Sequence, residues 1–257
     1  VTRRERFTAV ATPTVELRLT AGRARLLPAE DEVVEVVIES RQADAYRVER
    51  SGTQVWVEQP GRGLGGSSND LVELRLPPGA AVTARTTAAE LESDVRLGSL
   101  SAVLVSGGLR AGPVDGTARV RTASGDVEVG DVGGDLTVHS ASGDVTAGRV
   151  TGAVEATTAS GDVRMDAVGG RLEVRTASGD VRVRRYEGPE VRVRSVSGDL
   201  WLGLPPGLEV ELSGSTLSGA VRNGFADRAG QDTGPGDRRP VRVQLQSVSG
   251  DLVLQPA

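Results

Sequence analysis

Five aspartates, Asp126, Asp144, Asp162, Asp180 and Asp199, each follow a glycine and precede a Val or Leu. Acids at near-constant spacing could hold calcium, work with arginine in a glycan-cleaving groove, or accept hydrogen bonds from backbone turns. Calcium β-rolls place a Gly-Gly-x-Gly-x-Asp pattern in every nonapeptide. Here the matching places of the second half-repeat hold Asp135, Ala153 and Arg171, so a calcium-binding solenoid is a weaker alternative. Asp162, Arg164, Asp180 and Arg182 resemble in outline the carboxylate and arginine cluster of a glycan-active enzyme. Such a site is singular, however, whereas these residues recur in columns, and the sequence therefore predicts no catalytic residue, no metal ligand and no cofactor. The expected role of the aspartates is turn chemistry, with Arg164, Arg182, Arg184 and Arg194 as counterions to stacked carboxylates.

Other polar and aromatic residues read similarly. Thr122/Ser124, Ser140/Ser142, Thr158/Ser160 and Thr176/Ser178 form a hydroxyl column expected to support the turns, with the intervening alanines pointing inward. His139, the single histidine, lies beyond inward Val138 and has neither a nucleophile nor a second histidine to work with. Trp201 stands three residues after Gly198 and points outward, either covered by the C-terminal segment, which is the expectation, or marking a contact patch. The candidate binding residues are thus Asp126, Asp144, Asp162, Asp180, Asp199 and Trp201, all on outward columns.

The elements that position them follow from a repeat. Thr122-Ala-Ser-Gly-Asp-Val127 recurs from Ser140, Thr158 and Thr176 at 18-residue steps, then from Ser195 after 19, and a last copy, Ser247-Val-Ser-Gly-Asp-Leu252, closes the chain. Residues two and four after the glycines are aliphatic, as in Val127/Val129, Val145/Ala147 and Val163/Met165. Alternation of this kind puts one side of a strand into a core. Strand, turn, strand and turn make a coil, and coils stack at about 4.8 Å. The predicted fold is an all-β, single-stranded β-solenoid (β-helix) with about 18 residues and two short strands per coil, and irregular β caps at both ends. Composition agrees, because 38% of the 257 residues are hydrophobic but only 2% are aromatic, which suits thin aliphatic layers.

One solenoid domain over 1–257 is expected. Residues 1–90 would form irregular N-terminal strands and a cap, 91–200 the regular coils, and 201–257 the C-terminal coils and cap. Gly61–Asp70 and 223–240 read as mobile by their glycine, proline and charge content. Leu76-Pro-Pro-Gly79 and Leu204-Pro-Pro-Gly207 mark the entry to and exit from the array.

A net charge of −5 with all 30 cations as Arg, none clustered, argues against nucleic acid. Absence of cysteine excludes thiol chemistry and disulfides. No run of apolar residues is long enough for a transmembrane segment. Val1–Arg6 precedes an alternating stretch and not an apolar leader core. The chain as it stands is therefore expected in the cytoplasm, and at the cell surface or envelope if its N-terminus is incomplete.

This plan of irregular strands, Leu76-Pro-Pro-Gly79, Ser-Gly-Asp-Val coils and the closing Ser247–Leu252 motif resembles the bacterial β-strand-repeat domain family of unknown function whose members are usually labelled "putative adhesin". The resemblance implies a bacterial β-solenoid. The function expected is a non-catalytic structural or interaction scaffold, its partner a cell-envelope glycan or protein. The alternative is an intracellular β-helical polymer built by end-to-end self-association.

Overall fold

The computed structural model describes residues 1–8, 12–60, 69–206, 210–224 and 241–257; the expected loop at 61–68 and most of that at 223–240 lie outside the described residues. The protein is an all-β solenoid of parallel coils, as the repeat requires. Its contacts divide it into two compact units, Val1–Val132 and Gly133–Ala257. Among the described residues no helix is long and apolar enough to cross a membrane.

Unit 1 begins with β1 (Thr2–Thr8), β2 (Thr14–Pro28) and β3 (Val33–Glu39), continues through the hairpin β4 (Arg47–Ser51) and β5 (Gln54–Glu58), and then β6 (Leu71–Leu76). β1, β3 and β6 pair antiparallel in that order, and β6 runs parallel to the second half of β2. β5 runs parallel to the first half of β2. The coils proper follow as β7 (Ala81–Ser93), β8 (Ser99–Ser106), β9 (Leu109–Ala111), β10 (Ala118–Ser124) and β11 (Val127–Val129). Parallel coil register reaches further toward the N-terminus than the Ser-Gly-Asp-Val motif does: Val15 aligns with Val82, Val82 with Leu100, and Leu100 with Ala118. What a coil requires is inward aliphatics and a corner. In β2 the corner is Gly22, whose φ of +107° and 2.4 Å approach of a hypothetical Cβ to the Asp70 carbonyl oxygen admit no side chain. A buried polar group secures this bend. The Tyr46 hydroxyl and Gln59 Nε2 each donate to Asp70 Oδ2 at 3.0 Å, and Gln59 Oε1 accepts the backbone N–H groups of Thr20 and Ala21. Burial, reinforced by the Asp70 carboxylate, pushes the Tyr46 hydroxyl pKa upward.

Unit 2 holds β12 (Leu136–Ser142), β13 (Val145–Val150), β14 (Val154–Ser160), β15 (Val163–Val168), β16 (Leu172–Ser178), β17 (Val181–Tyr186), β18 (Glu190–Ser197), β19 (Leu200–Leu204), β20 (Val210–Ser218), β21 (Val221–Asn223), β22 (Val241–Ser249) and β23 (Leu252–Pro256). They form two parallel ladders, β12-β14-β16-β18-β22-β20 and β13-β15-β17-β19-β23-β21. Inward columns such as Leu136–Val154–Leu172–Val191 and Val145–Val163–Val181–Leu200 are fully buried. The coil with one extra residue takes it up between Tyr186, still aligned with Val168, and Val191, aligned with Leu172; there the buried Tyr186 hydroxyl donates to the Glu190 carbonyl at 2.6 Å and accepts the Glu190 N–H at 2.8 Å.

Two features of unit 2 depart from the sequence reading. The coil that ends the chain, β22 with β23, lies between the coil of β18 and β19 and that of β20 and β21, so spatial order is not chain order. The motif's first hydroxyl also points inward and its alanine outward, the reverse of expectation. Ser140, Thr158 and Thr176 are buried, whereas Ala141, Ala159 and Ala177 are exposed. Inward alternation from Leu136 through Val138 continues to Ser140 without a break. At Ser140 and Thr158 the buried oxygen is accommodated because it donates to the carbonyl two residues on, to Ser142 at 3.1 Å and to Ser160 at 2.9 Å.

Candidate binding face

The motif's glycine sets the local geometry. Gly179 has a φ of +131°, and a Cβ there would lie 2.2 Å from the Gly161 carbonyl oxygen of the coil beneath. Only glycine lets coils approach this closely while the chain turns outward to the aspartate.

Each aspartate then reaches along the stack. Asp144 Oδ1 accepts the backbone N–H of Asp162 at 2.9 Å, Asp162 that of Asp180 at 2.8 Å, and Asp180 that of Asp199 at 2.8 Å. The series continues through Asp251, which the sequence reading did not include, to the N–H of Ala220 at 2.9 Å. The column is thus a ladder between coils and not a set of closed turns. Asp251 could have been found from its own Ser-Gly-Asp-Leu motif had the insertion of the last coil been foreseeable. Asp126 occupies the corresponding place in unit 1, exposed after Gly125, and its carbonyl accepts the Leu109 N–H at 2.9 Å.

The expected counterions divide into distinct roles. Arg164 bridges Asp144, at 2.8 Å, and Asp162. This hydrogen bond, followed by the Asp162 N–H, holds the Asp144 carboxyl below the usual carboxylate range. Arg184 pairs with Asp166 at 3.3 Å. Arg194 stands on the other ladder beside Arg175. Arg182 lies over the Trp201 ring, 3.8 Å from its centroid, a cation–π contact. Trp201 is 36% exposed, in register with Arg182 and Val253 on an outward row, and most of the segment expected to cover it lies outside the described residues.

The outward turn of the motif's apolar residue creates a feature missed from the sequence. Position by position this column reads Ala141, Ala159, Ala177, Val196, Val248 and Leu217, growing in size toward β20. Val196 is 55% exposed and Leu217 86%. The signal was present in the replacement of Ala by Val and Leu at these places, but it was assigned to the wrong side. His139 lies half-buried on the outward face beside Thr157. Among the described residues no three potential ligands of the His, Cys, Asp and Glu types gather for a metal ion.

A family model, that of the Toastrack DUF4097 domain, matches residues 30–255 of this chain. The chain belongs to the Toastrack DUF4097 family. This family is a domain of unknown function, so membership carries a fold and no assigned activity. The Toastrack chain is also similar to the crystal structure of a protein described as a "putative adhesin" from Parabacteroides distasonis. Identity is 10%, coverage is 98% of this chain and 97% of that one, and the TM-score is 0.52. A second protein so described, from Bacteroides fragilis, shares 8% identity over 99% of this chain and 97% of that one, with a TM-score of 0.49. No curated protein matches the Toastrack chain in sequence.

Proposed function

We propose that the chain is a non-catalytic binding scaffold of the adhesin type, presenting the outward face of unit 2 to an extended partner in the cell envelope. The observation that carries this reading is the division of labour on that face. Repeated carboxylates are hydrogen-bonded to backbone N–H groups of the neighbouring coil, which is a structural use. Exposed apolar groups concentrate instead at Val196, Val248 and Leu217 on successive strands. A run of exposed aliphatics on a water-facing sheet marks a contact surface. The description of the Parabacteroides distasonis protein as a "putative adhesin" agrees with this reading.

Labelled protein is expected to sediment with envelope fractions, and the triple variant Val196→Ser, Val248→Ser, Leu217→Ser to remain in solution. Equal retention of both proteins would remove the face from the proposal. Turnover of glycan substrates that disappears on substitution of Asp162 would replace it with the enzyme reading.

Self-association through the β20 edge has one observation in its favour: among the described residues β20 and β21 each pair on one side only. Against it, Ala220 occupies the ladder's last place and offers no carboxylate to a further coil. Monomeric sedimentation at high concentration is the expected result, and a concentration-dependent series of larger species would favour the polymer.

A further inference from the structure

The outward face of unit 1 carries a groove of about 270 Å³ with Trp56 in its wall. Strand register constructs it. Glu49 on β4 lies opposite Trp56 on β5, which lies opposite Glu16 on β2. The neighbouring row is Arg47, Glu58, Arg18 and then Arg85 on β7. Glu16 is the fixed point. Its Oε1 accepts Arg18 Nη2 at 2.7 Å and Arg85 Nη1 at 2.9 Å, while Oε2 accepts the Trp56 indole N–H at 3.2 Å. The Glu16 side chain is only 15% exposed, and its carboxylate is held in the ionised form chiefly by Arg18. Arg47 grips Glu49 at 2.7 Å across the rim.

We propose that this groove binds a single neutral sugar ring. The proposal rests on the reading of the chain as a binding scaffold and assigns a ligand class to a different face. The lining holds three carboxylates, Glu16, Glu49 and Glu58, and two guanidinium groups, Arg18 and Arg47, while Arg85 beside it pairs with Glu16, so the groove has no surplus positive charge for a phosphate or carboxylate ligand. An anion would have to displace an existing pair, and a wholly apolar ligand would strip water from the charged groups without replacing its hydrogen bonds. A pyranose does neither. Its C–H face packs on the indole, and its hydroxyls reach remaining carboxylate lone pairs and guanidinium N–H groups already oriented by one another. Size sets the limit at one ring, since pockets for drug-sized ligands run from about 300 Å³ upward.

The chain has two tryptophans, so Trp201→Phe leaves Trp56 as the sole indole. Its emission is to be titrated with the methyl glycosides of glucose, galactose, mannose and N-acetylglucosamine, with inorganic phosphate and glucuronate as charged comparisons. A saturable response to at least one neutral sugar, with a Kd of about 1 mM, and none to phosphate is expected. Glu16→Gln in that background should weaken binding about tenfold by removing a charged acceptor. Should that variant lose its β-sheet circular dichroism, Glu49→Gln at the rim serves instead, with weakening of about threefold. A flat titration with every neutral sugar, or saturation by phosphate, would overturn the proposal. If the titration is flat while intact protein still binds envelope fractions, the groove falls and the scaffold reading stands. A sugar response without envelope binding has the reverse meaning.

Discussion

In unit 1 the marginal strands are antiparallel and charged, β1 with Arg3, Arg4, Glu5 and Arg6, and β4 with Arg47, Glu49 and Arg50. In unit 2 the marginal strand β20 runs parallel to its neighbour, and over its nine residues Val210–Ser218 it carries the single charge of Glu211. Charges on a marginal strand repel an incoming strand from another molecule. Unit 2 lacks that protection on β20 and instead stops supplying the ladder, with Ala220 where the coils below have Asp. The same contrast extends over the faces. Unit 1 gathers unlike residues once, around Glu16 and Trp56, whereas unit 2 stacks like residues repeatedly. A repeated column is well suited to building, and a single cluster to recognising.

The largest effect that should separate the two regions concerns backbone room. Gly179→Ala forces a Cβ against the neighbouring coil and should destabilise unit 2 by about 3 kcal/mol or more. Gly52→Ala, in the β4–β5 turn with φ of +60° and nothing within 4 Å of the added carbon, should cost about 1 kcal/mol. Urea unfolding followed by Trp201 emission for the first and Trp56 emission for the second measures both. Equal losses would erase the distinction between stacked and open turns.

Next in size is the carboxylate comparison. Asp162→Ala removes the acceptor of the Asp180 N–H together with a partner of Arg164, and about 1–2 kcal/mol should be lost. Glu58→Ala removes an exposed ion pair at 3.9 Å, and the change should stay within about 0.5 kcal/mol.

Acid sharpens the same contrast. Asp144 and Glu16 both have folded-state pKa values below their ordinary ones. Folding therefore gains from their ionised forms above the ordinary carboxylate range, and this gain is lost as pH falls through the depressed values. Arg164→Gln removes the main cause at Asp144, so the acid unfolding midpoint reported by Trp201 should move to higher pH while that reported by Trp56 stays in place.

The smallest expected effect lies within unit 2 itself. Thr176 Oγ1 is the buried side-chain polar atom that finds no hydrogen-bond partner among the described residues, whereas Thr158 donates to Ser160. Thr158→Val should cost about 1 kcal/mol and Thr176→Val nothing or a slight gain, by thermal unfolding.

Much of this fold is legible in the sequence because stacking repeats its demands. Val145, Val163 and Val181 meet the same environment, as do Gly143, Gly161 and Gly179, and one environment met several times leaves one pattern. The side on which Ala141 and Ala159 lie was misread because alanine suits either face of a strand, and Ser140 looked too polar for an interior that in fact supplies it a carbonyl. The Trp56 cluster was not legible for a different reason. Its parts come from β2, β4, β5 and β7, and nothing local in Val55-Trp-Val57 announces that Glu16 will lie beside the indole. The inserted coil was hidden likewise, because β20 and β22 carry similar patterns and pairing order is decided by which one fits against β18.

That insertion bears on how the protein is made. A ribosome delivers β20 and β21 before β22 and β23, yet the strand that belongs beside β18 is β22. The neighbour of β18 is therefore synthesised after the strand that lies beyond it, and the growing chain cannot complete its array in order of emergence. The β18–β22–β20 order forms only once β22 and β23 have emerged, and a message truncated after Asn223 is expected to yield a protein whose outermost coil takes the wrong seat.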